Sequence, residues 1–403
     1  MPAGTLLFDA SDVGEDVLGY VVDNDTLRNA MYRCMLEHSA SSQRDLEMVQ
    51  GMVYGIDFGD SQEEDVESKR EDQAVDIDHS STGGEEHFPW PIVELDNGDK
   101  IKCRLIVACD GARSRVRTLA GADWFAHGYD QSAVVANVTL RDPINTAYQR
   151  FVSTGPVAVL PINTDDTAAP VGNVIWTTTT VEAEALYNAD DEVFMNELNI
   201  VLNSHEENMA EEETILLNID GEKVKKASGS DVRLWSMMAK GLQIALPRLG
   251  LSDEVFSAGP GLDPPECLGV VGNRGRFPLV LGHAPRYVIE ERRTVLVGDA
   301  AHSVHPLAGQ GVNLGFADVQ SLADCLASAA ATGRDVGGER GAALMRFQRE
   351  RMVANVGMMG VLHSLQRVFD RNSPAGFREL RRVGLSAINA VRPVKKLILR
   401  AMR

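Results

Sequence analysis

The sequence predicts an α/β protein of two domains, one built on a parallel sheet and the other on a mainly antiparallel sheet. Three observations lead there. At 403 residues the chain exceeds the roughly 250–300 residues at which a single core stops growing. The run Thr294-Val-Leu-Val-Gly298 is short, apolar and bounded by charges and glycine, the mark of a buried parallel strand. The runs 133–140, 156–162 and 173–180 are β-rich and punctuated by Gly, Pro, Asn and Asp, as in an antiparallel sheet.

Composition bounds the function. Hydrophobic content is 44% and charged content 24%, ordinary for a protein with a proper core. A net charge of −19 argues against nucleic acid as a partner. The charge is uneven: residues 345–403 carry 13 Lys/Arg against 3 Asp/Glu, a local +10 that leaves −29 for the rest. Five cysteines, none in a C-x-x-C pair, suggest neither a disulfide framework nor a zinc site and fit a reducing compartment. No apolar run reaches the roughly 18 residues of a transmembrane helix. The first 25 residues hold six acids and no Lys or Arg, which is neither a secretory signal nor a basic transit peptide.

Along the chain, residues 57–86 hold 12 acids, two basic residues and few large apolar side chains. Such a segment buries too little surface to offset its ordering entropy, so a disordered acidic insert is expected, with an acidic docking segment as the alternative. Next, Ile92-Val-Glu-Leu95, Asn97-Gly98 and the run 101–108 read as a hairpin with a type I′ turn. Residues 190–213 read as an acidic helix, and 277–281 as a strand. Val312, Leu314, Phe316, Val319, Leu322 and Leu326 recur at near-helical spacing, predicting a helix over 311–331. The last 60 residues read as helical and basic.

Chemistry concentrates in Val297-Gly-Asp-Ala-Ala-His-Ser-Val-His-Pro-Leu-Ala-Gly-Gln-Gly-Val-Asn-Leu-Gly315. A buried strand ends at Gly298-Asp299, a loop follows, and Gly309-x-Gly311 opens a helix. Glycines admit a ligand close to backbone N–H groups, a helix N-terminus favours electron-rich groups, and Asp299 can accept from a sugar-like hydroxyl. Open α/β sheets place ligands at such strand ends. An ordinary strand–loop–helix would read the same way. His302 and His305 at i, i+3 have the spacing of metal ligands but lack a companion carboxylate or cysteine set, and packing or ligand contact suits them better. Asp110-Gly111 with Arg113, Arg115 and Arg117 could frame a pyrophosphate or could be a plain strand end with a solvated basic helix. No G-x-G-x-x-G occurs anywhere.

These residues resemble a known family. The segment from Gly298 to Gly315 is similar to the second FAD motif of aromatic-ring flavoprotein hydroxylases, and Cys109-Asp-Gly-Ala-Arg-Ser-Arg-Val-Arg117 to their central Asp-Gly motif. Leu18-Gly-Tyr-Val-Val-Asp-Asn-Asp25, Tyr129-Asp-Gln-Ser-Ala-Val-Val-Ala136, Gln149-Arg-Phe-Val-Ser-Thr-Gly-Pro-Val-Ala-Val-Leu-Pro161, Arg276-Phe-Pro-Leu279 and Asn389-Ala-Val-Arg-Pro-Val-Lys395 narrow the resemblance to the flavin monooxygenases of ubiquinone biosynthesis, of the eukaryotic C5-ring hydroxylase type.

The resemblance implies a para-hydroxybenzoate-hydroxylase-like FAD domain interleaved with an antiparallel-sheet substrate domain. The expected segments are 22–125 and 284–345 for the FAD domain, 126–283 with 1–21 for the substrate domain, and 346–403 as a basic helical tail. It implies FAD, O2, a polyprenylated phenol, and a ferredoxin with its reductase or NAD(P)H as electron source. Oxygen would be activated as a flavin C4a-hydroperoxide. It further implies a biosynthetic complex at the matrix side of the mitochondrial inner membrane, with the tail touching the membrane or merely packing on the FAD domain. By position, Asp299 meets the ribityl and pyrophosphate region, and Gly298 forms the turn that carries it. Pro306, Gly309, Gln310, Gly311 and Asn313 border the flavin ring, and Asp110 and Gly111 lie near the pyrophosphate. The family's first βαβ unit has no counterpart here, so a longer gene product is expected, with weak flavin uptake by this chain alone. A non-catalytic member of the complex, or a hydroxylase of another phenol, are the alternatives. No catalytic side chain is assigned.

Overall fold

The computed structural model describes residues 8–42, 46–59, 89–152, 154–162, 169–203, 263–305, 309–337 and 343–369. The acidic segment 60–88, the second half of the helix expected over 190–213, Pro306 and the tail beyond 369 lie outside them.

The chain forms two compact units, one comprising Met1–Arg44, Asp130–Pro278 and Ser364–Arg403, the other Asp45–Tyr129 and Leu279–His363. In chain order the elements are α1 (Asn24–Ser42), β1 (Val53–Asp57), β2 (Ile92–Leu95), β3 (Lys100–Lys102), β4 (Ile106–Ala108), α2 (Arg115–Leu119), β5 (Phe125–Leu140), β6 (Tyr148–Val152), β7 (Gly155–Ile162), β8 (Val171–Thr179), α3 (Thr180–Asn188), α4 (Asp191–Asn203), β9 (Cys267–His283), β10 (Val288–Ile289), β11 (Thr294–Leu296), β12 (His302–Ser303), α5 (Gln310–Ala331) and α6 (Met345–Phe369).

In the first unit the strands run in the order β9-β5-β8-β7-β6. Antiparallel register sets Val134 opposite Trp176 and Val138 opposite Gly172. Alternate residues share one face of a strand, so Val134 and Val138 join Val157, Val159, Val174 and Trp176 in one buried cluster. Phe194, Leu198 and Leu202 of α4 close that cluster at 0% exposure. Each such side chain contributes about 1.5–3 kcal/mol when removed from water. Gly155 is required where it stands: at φ 150° a Cβ would lie 2.4 Å from the carbonyl of Thr177.

The second unit holds two sheets, ordered β1-β2-β3 and β10-β11-β4. The parallel strand read at 294–298 is β11, which pairs in parallel with β4. Its residues are fully buried in a cluster with Ile106, Tyr287, Ile289, Leu322 and Phe347. The helix read over 311–331 is α5.

The hairpin at 92–108 differs from expectation in two ways. Asn97 is absent from the positive-φ residues, whereas Gly98 has φ 90°, and the Gly98 N–H donates to Leu95 at 3.0 Å. That is a type I turn closed by a left-handed glycine, not type I′. Asn97 instead accepts from the Asp99 N–H at 3.0 Å, an Asx-type bond that holds it out of the left-handed region. The run 101–108 is also divided: β3 pairs with β2, and β4 passes to the other sheet. The chain changes sheets at Arg104, whose carbonyl accepts from Arg293 Nη1 at 3.3 Å.

Candidate functional site

The register Thr294↔Ile106, Val295↔Val107 and Leu296↔Ala108 brings the carboxyl ends of β4 and β11 level. One further bond, Val297 N–H to the Ala108 carbonyl at 3.0 Å, extends the ladder to the strand ends. The two segments singled out in the sequence, Asp110-Gly111 and Gly298-Asp299, therefore emerge side by side. That is where a doubly wound sheet binds its ligand.

The two carboxylates differ. Asp110 is committed internally: Oδ1 accepts from the Ser114 hydroxyl at 2.6 Å and Oδ2 from the Val116 N–H at 3.0 Å. Ser114 in turn caps α2 through the Arg117 N–H at 2.9 Å. Asp110 thus shapes the loop, and Gly111 at φ 83° turns it. Asp299 is exposed in a 3-10 turn, Gly298–Ala300. Partial burial raises its carboxyl above the usual range, opposed by nearby His302. It is the carboxylate free to meet a ligand hydroxyl.

The basic cluster after Asp110 does not form a phosphate cradle of three arginines. Arg117 is buried, donates to the carbonyls of Ala300 and Ala112 at 2.8 Å each, and stacks 3.8 Å from the Trp124 ring centroid. Arg115 donates to the Tyr54 carbonyl at 2.7 Å. Only Arg117 turns into protein, where its donors satisfy carbonyls that burial would otherwise leave unpaired. Arg113 is exposed.

Gly298 has φ 59°, and the N-cap of α5, Gly309, has φ 61°. Gly309, lacking a side chain, supplies no side-chain cap to this 22-residue helix. Gln310 is buried, Gly311 half-buried and Asn313 exposed. The turn lies against α5, since a Cβ on Gly298 would sit 3.8 Å from Gly315 Cα. The structure thus draws Asp110, Gly111, Gly298 and Asp299 into one strand-end cluster, with the turn of Asp299 packed on the helix that Gly309 opens.

Sequence reasoning missed Asp318. It is 0% exposed and accepts four hydrogen bonds: on Oδ2 from Gly298 N–H at 3.0 Å and His302 Nε2 at 2.6 Å, on Oδ1 from Arg351 Nε at 2.7 Å and Asn355 Nδ2 at 3.0 Å. Burial pushes its carboxyl up, but these donors outweigh burial and hold it below the usual range. A signal existed: Asp318 occupies the same helical stripe as buried Leu314, Leu322, Cys325 and Ala329, where a carboxylate needs partners.

His302 is spent on that carboxylate. His305 is buried and edge-on to Tyr129, with ring centroids 5.1 Å apart, and burial depresses its pKa to about 4. Tyr129 Oη lies 3.2 Å from His363 Nδ1. Among the described residues no group of three or more His, Cys, Asp or Glu could hold a metal ion.

The exposed carboxylate of Asp299, the left-handed glycines and the glycine-opened N-terminus of α5 fit the flavin end of FAD, whose ribityl hydroxyls donate and whose ring oxygens and nitrogens accept from N–H groups. The family model for an FAD binding domain matches residues 65–215 and 283–356. The mitochondrial ubiquinone biosynthesis monooxygenase COQ6 of Danio rerio is 36% identical over 316 residues, 78% of this chain and 58% of that protein. That of Mus musculus is 30% identical over 396 residues, 98% of this chain and 70% of that protein. Of solved structures, p-nitrophenol 4-monooxygenase PnpA from Pseudomonas putida DLL-E4 has a TM-score of 0.47 at 16% identity, covering 77% of this chain and 62% of that one. The chain spans about three fifths of the length of such relatives as those of Danio rerio and Xenopus tropicalis. On the extent of these matches, the chain belongs to the FAD binding domain family and, within it, to the ubiquinone biosynthesis monooxygenases of the COQ6 type.

Proposed function

We infer that this chain serves an FAD-dependent monooxygenase that hydroxylates the aromatic ring of a polyprenylated phenol in ubiquinone biosynthesis. The observation that carries the reading is the parallel pairing of β4 with β11, which sets Gly298-Asp299 beside Asp110-Gly111 at the strand ends.

FAD, when bound, supplies the two-electron chemistry that puts one atom of O2 on the ring and reduces the other to water. The chain's own residues bind and orient. Asp299 accepts from a ribityl hydroxyl. Gly309, Gln310, Gly311 and Asn313 border the flavin ring, where the first turn of α5 presents its backbone N–H groups; the expected contact of Pro306 lies outside the described residues. Asp110 and Gly111 form the loop on the pyrophosphate side.

The relatives' names place them in mitochondria and in the ubiquinone pathway, which supports the same setting for this chain. We assign it to the matrix side of the inner membrane, within a biosynthetic complex, with electrons from a ferredoxin and its reductase or from NAD(P)H. No described helix is long and apolar enough to cross a membrane, and the +10 charge of residues 345–403 supports peripheral contact with an anionic leaflet, at about 1 kcal/mol per basic residue.

The test supplies the chain with FAD, a reductant and 18O2, and follows a prenylated phenol by mass spectrometry. One labelled oxygen on the ring is expected. Product labelled from water, or flavin uptake that ignores loss of the Asp299 carboxylate, would end this reading.

A further inference from the structure

We propose that Asp318 is the positioning residue for the turn at residues 298–303, and through it for the carboxylate of Asp299. The turn's own bond, Ala301 N–H to the Gly298 carbonyl at 2.8 Å, leaves its entry at the Gly298 N–H to be held from outside. Gly298 stands at φ 59°, and the preceding N-cap residue, Val297, offers no side-chain hydrogen bond. Among the described residues, the Gly298 N–H finds its side-chain partner in Asp318, 20 residues later on the buried face of α5. The same oxygen takes Nε2–H of His302, at the far end of the turn. One carboxylate oxygen therefore clamps both ends of the segment that presents Asp299.

The other oxygen ties the clamp to α6, whose Arg351 and Asn355 both donate to it. Arg351 Nη2 also donates to Asn355 Oδ1 at 2.9 Å, and Asn355 Nδ2 reaches the Tyr287 hydroxyl at 3.5 Å. A buried carboxylate with four donors is rigid, because each donor would cost desolvation if released. An amide in its place accepts at one oxygen only. Turned one way, its Nδ2 faces the Gly298 N–H; turned the other, it faces the donors of Arg351 and Asn355, so either the turn or its tie to α6 loses an acceptor.

The experiment compares Asp318→Asn with the wild-type chain by peptide-resolved hydrogen exchange. Asp335→Asn serves as the control, removing a carboxylate that pairs with buried Arg293 at 2.8 Å in the same unit. Exchange across 298–303 should accelerate at least tenfold in Asp318→Asn and stay near wild type in Asp335→Asn. Arg351→Lys, a milder change that keeps the charge, should give an intermediate rate and keeps the test valid if Asp318→Asn does not fold. Unchanged exchange in the Asp318 and Arg351 variants, or acceleration matched by Asp335→Asn, overturns the proposal.

Its consequence for flavin rests on the function proposed above. FAD should bind at least tenfold more weakly to Asp318→Asn than to Asp335→Asn. A loosened turn with unaltered FAD affinity would support the clamp and count against flavin at Asp299, so the two readings fail separately.

Discussion

Arg117 Nη1 donates to the carbonyl of Ala300 at 2.8 Å, tying the helix after Asp110 to the turn that carries Asp299. The same guanidinium holds the Ala112 carbonyl and sits over the Trp124 ring, 3.8 Å from its centroid. Arg117→Met keeps much of the stem and removes two bonds to carbonyls plus the stacking. A loss of about 2–3 kcal/mol is expected, read as a shift in urea midpoint. Arg117→Lys should recover only part, because an ammonium cannot serve two carbonyls in a fixed fork and stack as well. Full recovery by lysine would refute the fork.

Asp299 should matter to ligand and hardly to fold. The residue is exposed, and among the described residues none donates a hydrogen bond to its carboxylate. Asp299→Ala is expected to leave the melting temperature within a degree or so. A hydrogen bond to a charged group contributes about 1.5–3 kcal/mol, so FAD affinity should fall by roughly 10- to 150-fold. Isothermal titration alongside thermal melting separates the two effects. Equal FAD affinity would remove Asp299 from the site.

The parallel strand and its helix were legible because each is a local pattern. β11 is an apolar run between Arg293 and Gly298, and α5 shows its buried face every three to four residues. Of the antiparallel strands, β5, β7, β8 and the end of β9 were legible for the same reason and β6 was not, and β5 and β9 run longer than the apolar stretches inside them. Pairing extends a strand past the residues whose side chains advertise it. The strand-end cluster was half legible. Asp299 and Asp110 could be picked out, but their different fates depend on Ser114 and the Val116 N–H, which bind one of them and not the other. Asp318 was not read, because its partners lie 16 and 20 residues before it and 33 and 37 after. The stripe of α5 marks Asp318 as a buried carboxylate that needs partners, but nothing local says which residues they are. The hairpin was misread where one side-chain bond at Asn97 overrode a dipeptide preference.

Two glycines in the candidate site make opposite predictions. Gly298→Ala meets nothing closer than Gly315 Cα at 3.8 Å, so its cost is backbone strain at φ 59°, about 1–2 kcal/mol. Gly311 sits in the first turn of α5 with no positive φ, and its added Cβ would touch Val304 Cγ2 at 3.8 Å, an ordinary contact. Gly311→Ala should therefore stabilise the protein by about 0.5–1 kcal/mol. If the flavin ring approaches the α5 backbone there, the same methyl should weaken FAD binding. A variant that melts higher and binds flavin less well is the expected result. Unimpaired binding would place the ring elsewhere.

His305 makes stability depend on pH. Burial lowers its pKa from 6.5 to about 4, and burial with nearby His302 lowers that of His283 in the same direction. Between pH 6.5 and 4 the unfolded chain takes up a proton that folded His305 refuses. Unfolding is thus favoured as pH falls through this window, and stability is regained as pH rises to 6.5. Such a shift amounts to roughly 3 kcal/mol at most. Most carboxylates titrate at or below the lower edge of the window, so the imidazoles dominate it. His305→Gln removes the titrating group. Urea unfolding at pH 7.0, 6.0, 5.0 and 4.5 should show a steeper decline for the wild-type chain than for the variant. Parallel declines would mean that His305 accepts its proton without opening the fold.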